Sequence, residues 1–349
     1  MTPIKIGTRL VGPGHPTLVI AEIGVNHDGT LQRALELVRV AATCGADAVK
    51  LQIFRAINLL NASSTLAQYQ QGCTADHTPI DLLRRYELST ADLRLIVREI
   101  VAHKMIPLAT PFSPPDFEAL ESLRVAAIKI ASPDLVNRPL LQCTRGLNKP
   151  LLISTGGAEM DEVATTVQWM GEWGLAFALL HCVSAYPVPN KDANLCWIGE
   201  LASQFNVPVG YSDHTTETLS GALSVAAGAT IVERHLTYDR AAKGPDHAAS
   251  SDPTQFQRYV KLVREAETLR GKAGKHVLEI EQDIRKVSRQ SLVARRTMMS
   301  GDVLREEDLT VQRPGTGLPA SEIGKAVGRR LNKAVLAGSL LHWDMLDAA

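Results

Sequence analysis

The sequence is constrained most by eight short apolar segments that alternate with longer amphipathic segments. Each apolar segment has the length of a β-strand and ends in polar residues, whereas the amphipathic segments show the 3.6-residue period of helices. Eight such βα units within about 250 residues are typical of a closed (β/α)8 TIM barrel, an α/β fold. We predict strands at Thr17–Ile23, Ala46–Phe54, Met105–Pro111, Ala126–Ser132, Pro150–Thr155, Leu175–His181, Val207–Ser212 and Ala229–His235.

The segments between these strands predict the outer helices. Several follow a serine, threonine or aspartate that can cap a helix N-terminus. A doubly wound sheet is the alternative, but the first strand is followed by IGVNHDGT, which lacks the GxGxxG fingerprint, and the chain contains no Walker sequence. The predicted helices are Leu31–Cys44, Thr90–Lys104, Pro114–Leu123, Met160–Trp173, Asn194–Gln204, Thr216–Ala227 and Pro253–Arg270.

A second, smaller domain is predicted after the barrel. The chain has 349 residues, which is long for one hydrophobic core. Residues 1–270 form the predicted barrel, residues 271–288 a linker that begins with the basic sequence GKAGK, and residues 289–349 a β-rich domain. A domain of about 60 residues has a small core, so we expect it to gain stability from a partner subunit.

Composition and charge argue against several classes of protein. The 37 basic and 37 acidic side chains balance, so the chain lacks the charge signature of binding to nucleic acid or to an anionic membrane. No segment approaches the roughly 18 apolar residues of a transmembrane helix, and the N-terminus lacks the apolar run of a signal peptide. No CxxC pair occurs among the five cysteines, which are Cys44, Cys73, Cys143, Cys182 and Cys196. Cys44 and Cys182 lie in apolar runs typical of core thiols, and we predict a reduced, cytoplasmic protein.

Polar residues cluster where the predicted strands end. In a barrel, the carboxyl ends of all strands face one pocket, and catalytic residues are found there. Ammonium groups together with hydroxyl donors satisfy phosphate or carboxylate oxygens, so these residues predict a site for a small anion. The strand ends carry Glu22, Lys50, Gln52, Thr110, Lys129, Ser132, Ser154, Thr155, His181, Ser184, Tyr186, Asp213, His214, Glu233 and His235.

Two histidines near the ends of neighbouring strands predict a metal site. His214 and His235 would lie close enough to hold one divalent ion, whose other positions would go to water or substrate. Two histidines without a cysteine argue against a closed structural zinc site. The alternative is that each histidine only hydrogen-bonds to the backbone, which is the commoner role of a single histidine.

The segment after the last strand carries a further acidic and basic group. Gly244 and Pro245 fix a loop from which Asp246 and His247 are expected to project, eleven and twelve residues beyond His235. Charged groups at the edge of a sheet are costly to place without a use, which favours a functional role. A solvated loop with a structural ion pair is the alternative.

Motifs along the whole chain resemble the sialic acid synthase family, that is, N-acetylneuraminate synthases of the NeuB-like type. Three substitutions depart from the common pattern of that family: Pro133, Ser184 and Arg234. The segment from Gln290 onward, with SLVARR and VQRPGTGL, resembles the family's C-terminal antifreeze-like, or SAF, domain. The barrel motifs are IAEIGVNHDG (20–29), GADAVKLQ (45–52), TPF (110–112), KIAS (129–132), ISTGG (153–157), LLHCVSAYPVP (179–189), GYSDHT (210–215) and VERHLTYDRAAKGPDHAAS (232–250).

The resemblance implies a reaction and a role for each matching residue. The family condenses phosphoenolpyruvate with an open-chain N-acetylated hexose, here N-acetylmannosamine, to give a nine-carbon sialic acid and phosphate. Glu22, Glu233 and Asp246 are then expected to be catalytic and to contact or activate the sugar, while His214 and His235 would hold Mn²⁺ or Mg²⁺. The substrate-binding residues would be Lys50, Gln52, Thr110, Lys129, Ser132, Ser154, Ser184, Tyr186 and Arg313.

The resemblance also implies an assembly. Arg313 matches the position from which the SAF domain reaches into the partner subunit's barrel to bind the acyl group of the sugar. A guanidinium suits an amide or hydroxyl-rich ligand because its donors are fixed in one plane. We therefore predict a domain-swapped homodimer.

Several alternatives remain open from the sequence. A diacetamido hexose would make the chain a legionaminic or pseudaminic acid synthase. A sugar phosphate would require a further basic cluster, of which only Arg234, Arg240 and Lys243 are candidates. Synthases of shorter keto acids share the barrel chemistry but are disfavoured by the SAF-like segment, and a carbohydrate- or ice-binding protein would not need lysines, histidines and acids at its strand ends.

Overall fold

A computed structural model describes residues 1–61, 64 and 78–347 of the chain. Cys73 lies outside these residues, and the four described cysteines are free thiols. The chain divides into two compact units, one spanning Met1–Lys272 and the other beginning at Ala273. No helix among the described residues is long and apolar enough to cross a membrane.

The first unit contains a closed barrel of eight parallel strands, which confirms the predicted fold. Each strand lies within about two residues of its predicted bounds, the usual uncertainty of such assignments. In chain order the strands are β1 (Ile4–Ile6) and β2 (Arg9–Val11), which form a separate hairpin, and the barrel strands β3 (Leu18–Glu22), β4 (Ala48–Ile53), β5 (Ile106–Pro111), β6 (Ala127–Ile130), β7 (Leu151–Ser154), β8 (Phe177–Cys182), β9 (Val209–Asp213) and β10 (Ile231–His235).

Helices surround the barrel at all of the predicted places. Local sequence sets their ends: Ser89 accepts a hydrogen bond from the backbone of Asp92, and Asp252 and Gln255 form a capping box around Pro253. Three short helices, Ala56–Leu59, Pro79–Arg84 and Arg138–Gln142, were not predicted because they span too few residues to show a period. The helices of this unit are α1 (Leu31–Thr43), α2 (Ala56–Leu59), α3 (Pro79–Arg84), α4 (Thr90–Ala102), α5 (Asp116–Leu123), α6 (Arg138–Gln142), α7 (Met160–Glu172), α8 (Cys196–Phe205), α9 (Ser220–Ala226) and α10 (Pro253–Arg270).

Alternation along the strands separates two apolar layers. In β3, Leu18 points into the barrel, whereas Val19 packs against the surrounding helices. The hairpin β1–β2 adds Ile4 and Ile6 to the interior layer and so closes the end of the barrel where the strands begin. Sequence analysis missed this hairpin because strands of three residues are too short for a period-2 pattern.

The second unit is small and rich in extended structure, as predicted. Strands β11 (Ser291–Ala294) and β12 (Leu309–Gln312) pair antiparallel, with Ser291 opposite Gln312. Helix α11 (Gln282–Ser288) lies inside the predicted linker, and helix α12 (Ile323–Ala326) follows the strands. The core of this unit contains the buried side chains Leu292, Ala294, Met298, Leu304, Leu309, Leu318, Ala326, Leu331, Val335, Leu341 and Leu346.

Candidate active site

A cavity of about 380 Å³ opens at the carboxyl ends of the barrel strands. This volume lies in the range of small-molecule sites. Twelve of the fourteen predicted site residues line the cavity; Glu22 and Arg313 do not. The twelve are Lys50, Gln52, Thr110, Lys129, Ser132, Ser154, Ser184, Tyr186, His214, Glu233, His235 and Asp246.

Side-chain alternation explains which strand-end residues miss the cavity. His181 and Asp213 are each next in sequence to an inward-facing residue. Because side chains alternate along a strand, both point outward instead of into the pocket. His181 Nε2 lies 2.8 Å from the carbonyl of Ala193, and Asp213 forms a 2.8 Å ion pair with the buried Arg234. The expectation that these two strand-end residues face the shared pocket was therefore wrong. Thr155, whose hydroxyl donates to the carbonyl of Leu180 at 3.2 Å, does not line the cavity either.

A buried lysine lies between two carboxylates at the base of the cavity. Lys50 Nζ is 2.7 Å from Glu233 Oε1 and 2.9 Å from Glu22 Oε2. Glu22 is fully buried behind Lys50, and the amide of Gln52 donates to it at 3.4 Å. Burial lowers the pKa of Lys50 to about 8 despite the attraction of Glu233. For Glu233, burial is outweighed by Lys129 and Lys50, and its pKa falls to about 2.

A second buried lysine and several hydroxyls form another wall. Lys129 Nζ donates to the carbonyl of Ile130 at 2.9 Å, which leaves further donors for a ligand. The hydroxyls of Thr110 and Ser154 are buried and have no hydrogen-bond partner among the described residues. Because an unpaired buried hydroxyl is unfavourable, this wall is suited to bind the oxygens of an anion.

Close approach of three side chains to Gly156 shapes the same wall. The backbone N–H of Gly156 donates to Ser132 Oγ at 3.0 Å. A Cβ at this position would overlap Ser184 Oγ and lie only 3.0 Å from Cys182 Sγ. Glycine is therefore required here for the strand-end hydroxyls to converge.

The predicted histidine pair does come together. The ring centroids of His214 and His235 are 5.7 Å apart, and the ring of Tyr186 lies 4.1 Å from that of His214. Burial and the positive charges of His214 and Lys50 hold the pKa of His235 well below its usual range. Burial also opposes charge on His214, but Cys182 and two hydrogen bonds outweigh it and raise its pKa.

The donor atoms of this pair fit a divalent ion with additional oxygen ligands. His235 Nδ1 is buried without a hydrogen-bond partner among the described residues. His214 Nδ1 donates to the carbonyl of Val183 at 2.9 Å, so the neutral ring has a lone pair on Nε2. Within the described part of the chain, no cluster of three or more His, Cys, Asp or Glu side chains has metal-binding geometry. An ion at this pair would need water or substrate oxygens to complete its coordination.

Asp246 lies across from the histidines. Its Oδ2 is 3.6 Å from His235 Nδ1, and the residue is almost fully buried. Burial raises the pKa of Asp246 to about 6, an effect that His214 and Lys50 only partly offset. A carboxyl group with such a pKa can donate and accept protons near neutral pH.

Sequence analysis missed several residues that line the cavity. Cys182, interpreted above as a core thiol, is buried but faces the cavity, with Sγ 3.7 Å from His214 Nδ1. Ser212 donates to Glu233 Oε1 at 3.1 Å. Both lie two residues from an inward-facing neighbour, so the period of the strand was a signal that could have identified them. Phe54 and Phe112 also line the cavity, with their rings edge to face.

Arg313 belongs to the second unit, not to the barrel. It follows strand β12 directly and is exposed. Its predicted role in binding the sugar therefore stays a prediction.

The closed barrel and its polar cavity at the strand ends define a class, the (β/α)8-barrel enzymes. The model of the NeuB family matches residues 37–275, and that of the SAF domain matches residues 289–347. The chain is 38% identical over 348 residues to the N,N'-diacetyllegionaminic acid synthase of Legionella pneumophila, covering 98% of each chain. The chain thus belongs to the NeuB family and carries its SAF domain.

Two solved structures are similar to this chain. A putative spore coat polysaccharide biosynthesis protein E from Chromobacterium violaceum superposes with a TM-score of 0.83 at 26% identity, covering 95% of this chain and 100% of that one. An N-acetylneuraminic acid synthetase from Leptospira borgpetersenii gives a TM-score of 0.73 at 30% identity, covering 81% and 95%. Relatives of this chain are therefore named as synthases of different sugar acids.

Proposed function

We propose that this chain condenses phosphoenolpyruvate with an open-chain acetamido hexose, forming a nine-carbon 2-keto sugar acid and releasing phosphate. The observation that carries the proposal is the cavity itself, in which two buried lysines and two unpaired hydroxyls face a carboxyl group and a histidine pair. The lysines and hydroxyls suit a small anion, and the carboxyl group with the histidine pair suits a carbonyl group undergoing addition. Membership of the NeuB family supports the same reaction.

Phosphoenolpyruvate would bind along the wall formed by Lys129, Thr110 and Ser154. The ammonium group of Lys129 offers donors to its phosphate or carboxylate, and the two hydroxyls would gain the hydrogen bonds that they lack. Lys50 would keep its ion pairs with Glu22 and Glu233 and add positive charge near the bound phosphoenolpyruvate. Charge on the departing phosphate would be offset by these lysines.

The carboxyl groups divide the proton transfers. C3 of phosphoenolpyruvate attacks the aldehyde carbon of the sugar, and the oxygen that becomes negative takes a proton, for which Asp246 has a suitable pKa. Glu233 stays ionised and stabilises the positive charge left at C2. Water then adds to C2 and gives its proton to a carboxylate, the C2–O bond to phosphate breaks, and the remaining hydroxyl loses a proton to give the ketone.

We infer that His214 and His235 hold Mn²⁺ or Mg²⁺. When bound, a divalent ion supplies Lewis-acid polarisation of the sugar aldehyde. The unpartnered Nδ1 of His235 supports this inference. Paramagnetic resonance of added Mn²⁺ tests it: we expect a bound signal with the unchanged protein and none with His235→Ala.

Two acetamido hexoses are candidates for the substrate. N-acetylmannosamine would agree with the name of the Leptospira structure, and a 2,4-diacetamido hexose with that of the Legionella protein. Val25, Phe54 and Phe112 form an apolar part of the cavity that can accept an acetyl methyl group from either sugar. A sugar phosphate is disfavoured because, among the described residues, Lys50 and Lys129 are the only lysine or arginine side chains that line the cavity.

We further propose that the active protein is a domain-swapped homodimer in which Arg313 binds the acyl group of the sugar in the partner subunit's barrel. Exposed apolar side chains on and before α11, namely Ile280, Ile284 and Val287, support an association because isolated chains seldom leave a helix face of this kind uncovered. The cytoplasmic location stays a prediction.

Phosphate release by the metal-loaded protein tests the reaction. Phosphoenolpyruvate is supplied with N-acetylmannosamine or with a 2,4-diacetamido hexose, and the product is identified by mass spectrometry. We expect sugar-dependent release of phosphate with one of these sugars and its loss in His235→Ala. No release with either sugar would refute the proposal.

A further inference from the structure

His247, which follows Asp246, does not face the cavity. Its side chain is fully buried, with Nε2 3.0 Å from Asp28 Oδ1 and Nδ1 2.7 Å from the hydroxyl of Thr237. Because a carboxylate only accepts hydrogen bonds, Nε2 carries the proton donated to Asp28. His247 was expected to project from its loop, but its ring is buried and joins the loop after β10 to the loop after β3.

A second link joins the same two loops. The amide of Asn26 donates to the carbonyl of Leu236 at 2.9 Å and to Ser250 Oγ at 2.8 Å. Ser250 Oγ in turn donates to the backbone carbonyl of Asp246 at 2.6 Å. Asn26 and Ser250 are buried, so these hydrogen bonds are shielded from competition with water.

Asp28 is itself held in place. Its Oδ2 accepts a hydrogen bond from the hydroxyl of Tyr238 at 2.8 Å, and the guanidinium of Arg33 lies 3.6 Å over the ring of Tyr238. Asp28 adopts a left-handed backbone conformation with φ of 52°, followed by Gly29 with φ of 70°. Such a conformation persists only where surrounding contacts hold it.

Both links act on the backbone of Asp246 or on its direct neighbour. Among the described residues, no hydrogen bond is donated to the carboxylate of Asp246, which faces the cavity. The position of this carboxylate consequently depends on the two links instead of on contacts of its own. Displacement of a reacting group by about 1 Å can lower a rate about a hundredfold.

We propose that Asp28 and Asn26 are positioning residues that hold Asp246 at the reacting atoms, acting through His247 and Ser250. The proposal rests on the proposed function, in which the carboxyl group of Asp246 lies at the reacting atoms of the sugar. It assigns a role in turnover to the segment NHDG of the β3–α1 loop, whose side chains Asn26 and Asp28 do not line the cavity.

A double-mutant cycle between Asp28→Ala and Asp246→Asn tests this role. We expect Asp28→Ala to lower kcat about tenfold and to leave the KM for phosphoenolpyruvate within about twofold, because binding of that substrate uses the opposite wall. In the Asp246→Asn background, Asp28→Ala should have no further effect on kcat. Asp28→Asn should keep most of the kcat that Asp28→Ala loses. The side-chain amide of asparagine can donate to Nε2 of His247 when the proton of the ring is on Nδ1.

Asp47→Ala is the matched control. Asp47 is a hydrogen-bonded carboxylate at the opposite end of the barrel, where it pairs with Arg9 at 2.7 Å and accepts from the backbone of Val19 at 2.8 Å. This variant should lose stability without a change in kcat. Ser250→Ala, which removes one hydroxyl of the second link, provides an independent variant if Asp28→Ala does not fold.

Hydrogen exchange of residues 244–252 provides a readout that does not require turnover. These amides should exchange faster in Asp28→Ala than in the unchanged protein, and Asp47→Ala should leave them unaffected. Unchanged exchange in Asp28→Ala would overturn the proposal, and so would an equal loss of kcat in both backgrounds of the cycle. If the unchanged protein turns over no sugar, the proposed function fails, while the exchange experiment still decides whether the links hold Asp246.

Discussion

Individual residues show where this protein keeps polar groups unsatisfied. The hydroxyls of Thr110 and Ser154 are buried without partners among the described residues, whereas the equally buried hydroxyl of Ser224 donates to the carbonyl of Gly221 at 2.7 Å. An unpaired buried hydroxyl lowers stability, and a ligand that supplies its missing partner gains affinity. Ser154 is therefore expected to contribute to ligand binding, and Ser224 to the stability of the fold.

We predict that Ser154→Ala raises the KM for phosphoenolpyruvate about tenfold or more, because a hydrogen bond to a charged group contributes roughly 1.5–3 kcal/mol. The free energy of unfolding should stay unchanged or rise, since no native hydrogen bond is lost. Ser224→Ala should do the reverse, lowering stability by about 1 kcal/mol without affecting KM. Steady-state kinetics and urea unfolding measure both quantities, and an unchanged KM in Ser154→Ala would contradict the assignment.

A buried histidine predicts a pH dependence of stability. Burial, opposed by the charge of Asp28, lowers the pKa of His27 from 6.5 to about 4. The unfolded chain therefore binds a proton between pH 6.5 and 4 that the folded protein does not, so stability falls as the pH decreases through this range. The full loss is about 3 kcal/mol by linkage.

His27→Asn should remove this contribution. Asparagine can still accept the hydrogen bond that His27 Nδ1 accepts from the backbone of Gly29 at 3.1 Å. Urea midpoints measured at pH 7.5 and pH 5 should differ less for this variant than for the unchanged protein. An equal difference would show that His27 titrates normally in the folded protein.

Most residues of the site could be predicted, and two causes account for the errors. Residues in matched motifs converge on the cavity, including Lys50, Lys129 and Ser154. His181 and Asp213 were placed in the site, and Cys182 outside it, because the reasoning used proximity to a strand end without its two-residue period. The ion pairs of Lys50 and the buried position of His247 depend on contacts between distant segments, which no local pattern encodes.

At the scale of elements, the regular alternation of strands and helices made the barrel predictable. The first and last strands of the barrel, β3 and β10, pair with each other and close it. The order of the elements along the chain does not by itself require this pairing. The hairpin β1–β2 and helix α6 were missed because they are shorter than the periods used to detect them. Helix α11 was missed because it lies in residues 271–288, which were interpreted as a linker from the basic, glycine-containing sequence GKAGK at their start.

Two glycines in helices predict opposite changes in stability. A Cβ at Gly221 in α9 would overlap the ring of Tyr259 on α10, whereas a Cβ at Gly171 in α7 would meet no atom within 4 Å. Gly221→Ala should lower the free energy of unfolding by roughly 1–3 kcal/mol through overpacking. Gly171→Ala should raise it by about 0.5–1 kcal/mol, because glycine is unfavourable inside a helix. Urea unfolding of the two variants would contradict this account if both shifts had the same sign.

At the scale of the whole molecule, the proposed exchange of SAF domains can be tested by complementation. Asp246→Asn removes the proposed catalytic carboxylate of the barrel, and Arg313→Ala removes the proposed sugar-binding residue of the SAF domain. The homodimer of either variant should therefore have little activity. In a swapped mixed dimer, one site combines an intact barrel with an intact SAF domain. Co-expression of the two variants should therefore restore about a quarter of the unchanged activity if subunits assort at random. No restoration, or a fully active monomer in light scattering, would contradict the swapped arrangement.

The central claim is that carbon–carbon bond formation with phosphoenolpyruvate is coupled to cleavage of its C2–O bond. We would measure both products by mass spectrometry after turnover of phosphoenolpyruvate labelled with ¹⁸O in the bridging position, with and without the acetamido hexose. The account predicts labelled phosphate and an unlabelled nine-carbon acid in equal amounts, formed only when the sugar is present. Label in the acid, or phosphate released without sugar, would contradict it.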